Sequence, residues 1–423
     1  MIRTLNTSAH DLRDVATGSV HAIMTSPPYY GLRSYAGDQD VEWSTVTYRL
    51  NEWTEPLTVD AWRGPLGLEP SPVAYIGHLI LCLREWGRVL RDDGVCFVNL
   101  GDSYHGGKGK NGTSKALGNA DERGYKQSRG TVVMDMRPTD STDGPIKPKD
   151  LLGIPWMFAF AARADGWYLR SDIIWHKPNP MPESVTDRPT KAHEYVFMLA
   201  KAARYYFDAD AVREESATEP HAPGNKADNG RLTASMGHVE EPERVWAASG
   251  RRNIRTVWSI ATAPYPGAHY AVWPERLVEP MIKAATSERG VCPTCGAQWR
   301  RVVERTNGDR LDTMNPSREA IGHERIPRGH SSHQPGWRKL EPDAITTAGW
   351  SPSCDCYPRG EDVPECFEPL VEPATVLDPF AGSGTTGRVA VRLGRRAILC
   401  DVSAEYLSEH VPARTTVQME MMA

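Results

Sequence analysis

Short, continuous apolar runs alternate with stretches of helical period along most of the chain. Val20-His21-Ala22-Ile23-Met24 is such a run and predicts a buried strand. Apolar positions at Val73, Ile76, Ile80, Leu83 and Leu90 predict a helix over residues 73–91, stopped by Asp92-Asp93-Gly94. A strand over 95–100 follows, then a helix over 151–164 and strands over 173–175 and 195–199. Near the C-terminus the order is strand (375–377), helix (385–393), strand (397–400) and a helix from Ala404. Strands buried on both faces between helices imply an α/β fold with a doubly wound, parallel sheet. Residues 104–149, 209–262 and 290–368 lack this periodicity and are expected to be insertions.

Pro27-Pro28 ends the first strand abruptly, because neither residue supplies an N–H and each fixes φ near −65°. A turn of Gly or Asn-Gly would do this with less rigidity. The segment Thr25-Ser26-Pro27-Pro28-Tyr29-Tyr30-Gly31 therefore holds something still.

The strongest glycine motif is Val376-Leu377-Asp378-Pro379-Phe380-Ala381-Gly382-Ser383-Gly384-Thr385-Thr386-Gly387. A strand delivers an acid, and the glycines let a ligand approach the backbone where a helix begins. A second acid, Asp401, closes the next strand, where a carboxylate accepts ribose hydroxyls. No lysine follows the glycines as a P-loop requires, and Asp378 would repel a phosphate. A nucleoside carrying a positive centre fits better, and S-adenosylmethionine has both features.

With that ligand the Pro-Pro turn acquires a purpose. The lone pair of an exocyclic nucleobase amine is delocalised into the ring. Acceptors on its two N–H groups favour a pyramidal nitrogen and stabilise the charge that develops as a methyl arrives. The Ser26 hydroxyl and Pro27 carbonyl would be such acceptors, held by Pro28, with Tyr29 offering a face to a base taken out of the stack.

Net charge and cysteines narrow the partners. The chain of 423 residues carries a formal charge of −5, so a nucleic-acid surface must be local. Arg251, Arg252, Asn253 and Arg255 are the candidates for DNA contact. No leader-like segment begins the chain and no apolar run approaches the ~18 residues that span a bilayer, so a cytoplasmic protein without a membrane partner is expected. Of the eight cysteines, Cys82, Cys96, Cys366 and Cys400 are isolated and expected to be buried. Cys292-Pro-Thr-Cys295-Gly and Cys354-Asp-Cys356 form close pairs and predict one structural zinc.

Together these segments resemble the S-adenosylmethionine-dependent DNA amino-methyltransferases of the permuted order, in which the catalytic tetrapeptide precedes the glycine motif. The resembling stretches are TSPPYYGLRSY, VNLGDSY, KPKDLLGIPW, residues 166–201, HYAVWPERL and LDPFAGSGTTG. The cysteine pairs resemble those of a phage-type and actinobacterial subgroup. The resemblance implies a Rossmann-like methyltransferase sheet and a site-specific enzyme of restriction-modification type acting on double-stranded DNA.

It also implies that Ser26, Pro27, Pro28 and Tyr29 are catalytic. Asp378, Phe380, Gly382, Ser383, Gly384, Thr385 and Asp401 would bind cofactor, with His269 and Pro274 nearby and Lys177 at the DNA. The expected organisation is a catalytic half (1–208, with loop 104–149 inserted), a recognition region (209–262) and a cofactor-side helix segment (263–289). A zinc-binding insertion (290–368) and a cofactor-binding half (369–423) complete it. Many relatives carry Gly-Asp ahead of the first strand, at a point where a cofactor contact is expected, and this chain has Asn6-Thr7 there.

Ser-Pro-Pro-Tyr leans by resemblance toward cytosine N4, with adenine N6 the alternative. Tyr29, Tyr30 and Trp175–Asn179 are expected to shape the base pocket. A protein-glutamine methyltransferase would place its Asn-Pro-Pro-Tyr after the glycines. A cytosine C5 enzyme would need a Pro-Cys nucleophile, and no cysteine follows a proline. A non-catalytic, zinc-containing DNA-binding protein is the remaining alternative. Monomer and dimer both remain open.

Overall fold

The computed structural model describes residues 1–31, 39–105, 146–215, 251–262, 272–306, 344–357 and 369–420. It divides into two compact units, Met1–Ala211 with Arg255–Arg300 and Pro352–Ala423, and Val212–Ile254 with Arg301–Ser351.

The first unit is built on an eight-stranded sheet. Its strands are β1 (Ile2–Asn6), β2 (Val20–Thr25), β3 (Leu90–Leu100), β4 (Tyr168–His176), β5 (His193–Ala200), β6 (Val257–Ser259), β7 (Thr375–Asp378) and β8 (Arg396–Asp401). Their spatial order is β1-β8-β7-β2-β3-β5-β4-β6. β5 runs antiparallel to both neighbours, and the remaining pairings are parallel. The two ends of the chain thus meet in the middle of one sheet, with β7 directly beside β2.

Alternate residues of these strands feed two cores. Ile23, Cys96, Val98, Phe197, Leu199 and Leu377 face one side, where α1 (Pro72–Val89) and α2 (Ile154–Ala164) supply Tyr75, Leu79, Leu83 and Phe158. Ala22, Met24, Val95, Phe97 and Val376 face the other, against α3 (Glu275–Ala285) and α4 (Thr385–Arg392). This period-2 division makes a three-layer α/β/α sandwich.

Several boundaries differ from the sequence expectation. α1 ends at Val89 and β3 begins at Leu90, so Asp92-Asp93-Gly94 lies inside the strand and does not form a stop. Arg91 and Asp93 pair across this first turn of strand, which keeps their charges off the apolar core. The C-terminal helix from Ala404 is a π-helical turn, Tyr406–His410, leading into α5 (Val411–Glu420). The expected burial of Cys82, Cys96 and Cys400 is observed, while Cys366 lies outside the described residues.

In the second unit, Glu214–Glu215 pair antiparallel with Arg251–Arg252, and Arg300–Thr306 form a two-stranded sheet with Ala344–Ser351. No helix among the described residues is long and apolar enough to cross a membrane.

Candidate functional site

The carboxyl ends of β2, β7 and β8 form one edge, and the residues singled out in the sequence converge there. Asp378 ends β7 fully buried. Its carboxylate accepts from Thr25 Oγ1 at 2.9 Å, Thr386 Oγ1 at 2.5 Å and the Phe380 N–H at 3.1 Å. One carboxylate therefore ties Thr25, the last residue of β2, to the start of α4. Burial pushes its pKa up to about 6, against the opposing pull of the hydroxyls of Thr386 and Thr25.

The glycine turn follows. Gly382 and Gly384 take φ of 48° and 77°, the left-handed region that glycine enters without strain. A Cβ on Gly387 would lie 2.6 Å from Leu399 Cδ1, so this glycine lets α4 settle directly on β8. Asp401 accepts from the Gly382 N–H at 2.8 Å and the Ser403 N–H at 2.9 Å, and burial raises its pKa as well. The Val402 N–H also acts on this carboxylate, which with about four lone-pair sites keeps acceptor capacity for a ligand hydroxyl.

Ser383 is buried and accepts from Arg414 at 2.6 Å; Thr385 is buried in the first turn of α4. Phe380 stands edge-on to Trp86 with ring centroids 6.1 Å apart. Pro274 caps α3, while His269 lies outside the described residues. Asn6, in place of the expected Gly, donates through Nδ2 to the carbonyls of Asp401 and Val402, both at 3.0 Å. It thereby clamps the turn after β8.

The Ser26–Tyr29 turn is braced on nearly every side. Tyr75 Oη donates to the Pro28 carbonyl at 2.7 Å and Ser103 Oγ to the Tyr30 carbonyl at 3.1 Å. The Gly31 N–H donates to the Gly67 carbonyl at 2.8 Å, and Gly67 is held through its own N–H by the buried Glu69. A Cβ on Gly101 would come within 2.5 Å of the Tyr29 ring, so that ring packs directly against the backbone at Gly101. Among the described residues, none donates to the Pro27 carbonyl. The Pro27 carbonyl is thus left open while the carbonyls of Pro28 and Tyr30 are held.

Asn99 and Glu194 complete this cluster and were not singled out in the sequence. Tyr29 Oη lies 3.0 Å from Asn99 Oδ1 and 2.7 Å from Glu194 Oε2, and Ser26 Oγ lies 3.4 Å from Asn99 Oδ1. Lys177 pairs with Glu194 and sits 4.3 Å from the Trp175 ring centroid, so it belongs to this cluster. Tyr30, by contrast, is buried in the core with its ring beside Tyr75 of α1.

The remaining candidates lie elsewhere. The Sγ atoms of Cys292, Cys295, Cys354 and Cys356 lie within 4.8 Å of one another, close to the about 3.8 Å between thiolates on a tetrahedral zinc with about 2.3 Å bonds. Burial opposes ionisation of Cys292, but hydrogen bonds from the Cys295 and Thr294 N–H groups, together with the Tyr357 and Cys295 side chains, bring its pKa down to about 6. Arg91 donates to the Cys295 carbonyl at 2.8 Å. His21, buried on β2, takes the Thr375 N–H on Nδ1 and so donates from Nε2 to the Gly296 carbonyl. Burial lowers the His21 pKa to about 4, which keeps this tautomer neutral near pH 7. The thiols therefore lie at the amino ends of β2, β3 and β7, the edge opposite Ser26.

In the second unit Arg252 pairs with Glu214 at 2.9 Å and Asn253 accepts from Arg213 at 3.1 Å; Arg251 is exposed. Arg255 is exposed on the first unit just before β6.

A family model described as DNA methylase matches residues 20–292 and 372–411. The type II methyltransferase M.Cfr9I of Citrobacter freundii is 40% identical over 278 residues, which are 65% of this chain and 69% of that protein. M.SfiI of Streptomyces fimbriatus, also a type II methyltransferase, is 27% identical over 418 residues, 93% of this chain and 86% of its own. A solved structure titled PvuII DNA methyltransferase (cytosine-N4-specific) aligns with 98% of this chain and 86% of its own, at 14% identity and a TM-score of 0.43.

Proposed function

The chain belongs to the DNA methylase family of N6 and N4 methyltransferases, and from that membership we propose a site-specific enzyme that methylates N4 of cytosine, flipped out of double-stranded DNA, in the cytoplasm. The observation that carries this reading is the pairing of an open Pro27 carbonyl with the Ser26 hydroxyl on a turn held at Pro28 and Tyr30, next to the Asp378 loop. Two acceptors held in place match the two N–H groups of an exocyclic amine. Adenine N6 has the same two donors and is the second reading.

S-adenosylmethionine fits the adjoining loop. Asp401 offers acceptor capacity for a ribose, the left-handed glycines leave room at the backbone, and the buried carboxylates favour a cation. When bound, this cofactor supplies an activated methyl group on a sulfonium. Asp401, Phe380 and the Gly382–Thr385 backbone would hold it, with Asp378 fixing the loop from below.

Ser26 and Pro27 would orient the amine, and Tyr29 would stack on the base. Arg251, Arg252, Asn253 and Arg255 would face DNA. Methylation of unmodified DNA and digestion to nucleosides tests the reading, with N4-methylcytosine the expected product.

The four cysteines would hold one structural zinc, with all four positions filled by thiolate and none left for water. The purified protein is expected to carry about one zinc per chain, as such a site binds one ion. Cys295→Ser should lose the metal and lower the unfolding temperature. Metal-free protein of unchanged unfolding temperature would refute a zinc site.

A further inference from the structure

Behind Ser26, hydrogen bonds run in one direction to a carboxylate. Ser26 Oγ is placed to donate to Tyr29 Oη at 3.5 Å, and Tyr29 Oη donates to Glu194 Oε2 at 2.7 Å. Asn99 Oδ1 lies beside both hydroxyls, but an amide does not take up a proton at neutral pH. Its Nδ2 donates to the Tyr195 carbonyl at 3.0 Å, which fixes which end faces the cluster. Glu194 is the member of this cluster suited to accept a proton, and its side chain is 15% exposed, so water reaches it.

On the function proposed above, on which this step rests, the target amine enters the reaction with two N–H bonds and leaves with one. A proton must depart. We infer that Glu194 is its terminal acceptor, reached through Ser26 and Tyr29. The amine lone pair forms the new N–C bond while the C–S bonding pair returns to sulfur, and the nitrogen becomes positive. Its proton passes to Ser26 Oγ, the Ser26 proton to Tyr29 Oη, and the Tyr29 proton to Glu194 Oε2. Both hydroxyls end neutral, and the carboxylic acid then yields its proton to water.

The first link, at 3.5 Å, is long, as catalytic hydrogen bonds often are before substrate tightens them. Besides Tyr29, the charged or titratable groups facing Glu194 among the described residues are Lys177, Lys191 and His193.

Glu194→Gln separates this role from simple support of Tyr29. The amide oxygen still accepts from Tyr29 and holds the ring, but it does not take the proton. Single-turnover methylation of unmodified plasmid DNA is followed across pH, alongside calorimetric binding of S-adenosylhomocysteine and retention of the plasmid. The expected result is a rate lower by about 100-fold, within the range for a lost proton-transfer group, with both bindings unchanged. The acidic limb of the pH–rate profile should disappear in this variant.

Tyr29→Phe, which keeps the ring and cuts the chain, should show the same loss. A Glu194→Gln enzyme with the wild-type rate and profile overturns the inference. So does a slower variant that keeps the acidic limb, since that is loss of Tyr29 support alone. Wild-type protein that transfers no methyl group to DNA would instead defeat the underlying function.

Discussion

Asp378→Ala is expected to abolish measurable S-adenosylmethionine binding and to destabilise the fold. The carboxylate is the sole described partner of the Thr386 hydroxyl and serves the Thr25 hydroxyl and the Phe380 N–H as well. Alanine strands these donors in the interior. At about 1–3 kcal/mol for each unsatisfied buried group, the loss should be several kcal/mol. Asp378→Asn keeps an acceptor and should be milder.

A pH signature accompanies it. Because the folded pKa of Asp378 is raised to about 6 from 3.8, its contribution is fully present below 3.8 and is lost as pH rises through about 6. Urea unfolding of wild type should therefore show a decline across that window that Asp378→Asn lacks. Unaltered cofactor affinity in Asp378→Ala would contradict the assigned role of the loop.

Ser26→Ala should slow single-turnover methyl transfer by about 10²–10³-fold, the usual effect of removing one preorganised group that meets developing charge. The hydroxyl touches only Tyr29 and Asn99 among the described residues, at 3.5 and 3.4 Å, and both contacts are loose. Its removal therefore leaves the fold and cofactor loop intact. Cofactor affinity and unfolding temperature should match wild type. A variant retaining full rate would show that Ser26 is not an acceptor for the amine.

The parts legible in the sequence were those whose physics is local. β2 and β7 are largely buried on both faces, so unbroken apolar runs announced them, and each leads into one of the motifs singled out in the sequence. β1 was missed because most of its side chains are exposed or half-buried at the sheet edge, and β6 because it has only three residues, held by pairing with β4. Asn99 and Glu194 were invisible for a different reason. Each sits in a resembling segment, VNLGDSY or HEYVF, but only the antiparallel register pairing Asn99 with Val196 and Leu100 with Tyr195 brings them to one tyrosine. Asp378 stood out in the sequence as an acid closing a strand, yet that all three of its donors are internal depends on β7 lying against β2 and α4.

Identification of the methylated nucleoside tests the central claim most directly. Purified protein, methyl-labelled S-adenosylmethionine and unmodified DNA are incubated, and the DNA is digested and resolved by mass spectrometry. The account predicts labelled N4-methylcytosine, absent with Ser26→Ala over the same interval. Labelled N6-methyladenine would move the acceptor to adenine while leaving the amine chemistry of the Ser26–Pro27 turn in place. Labelled 5-methylcytosine would contradict that chemistry outright.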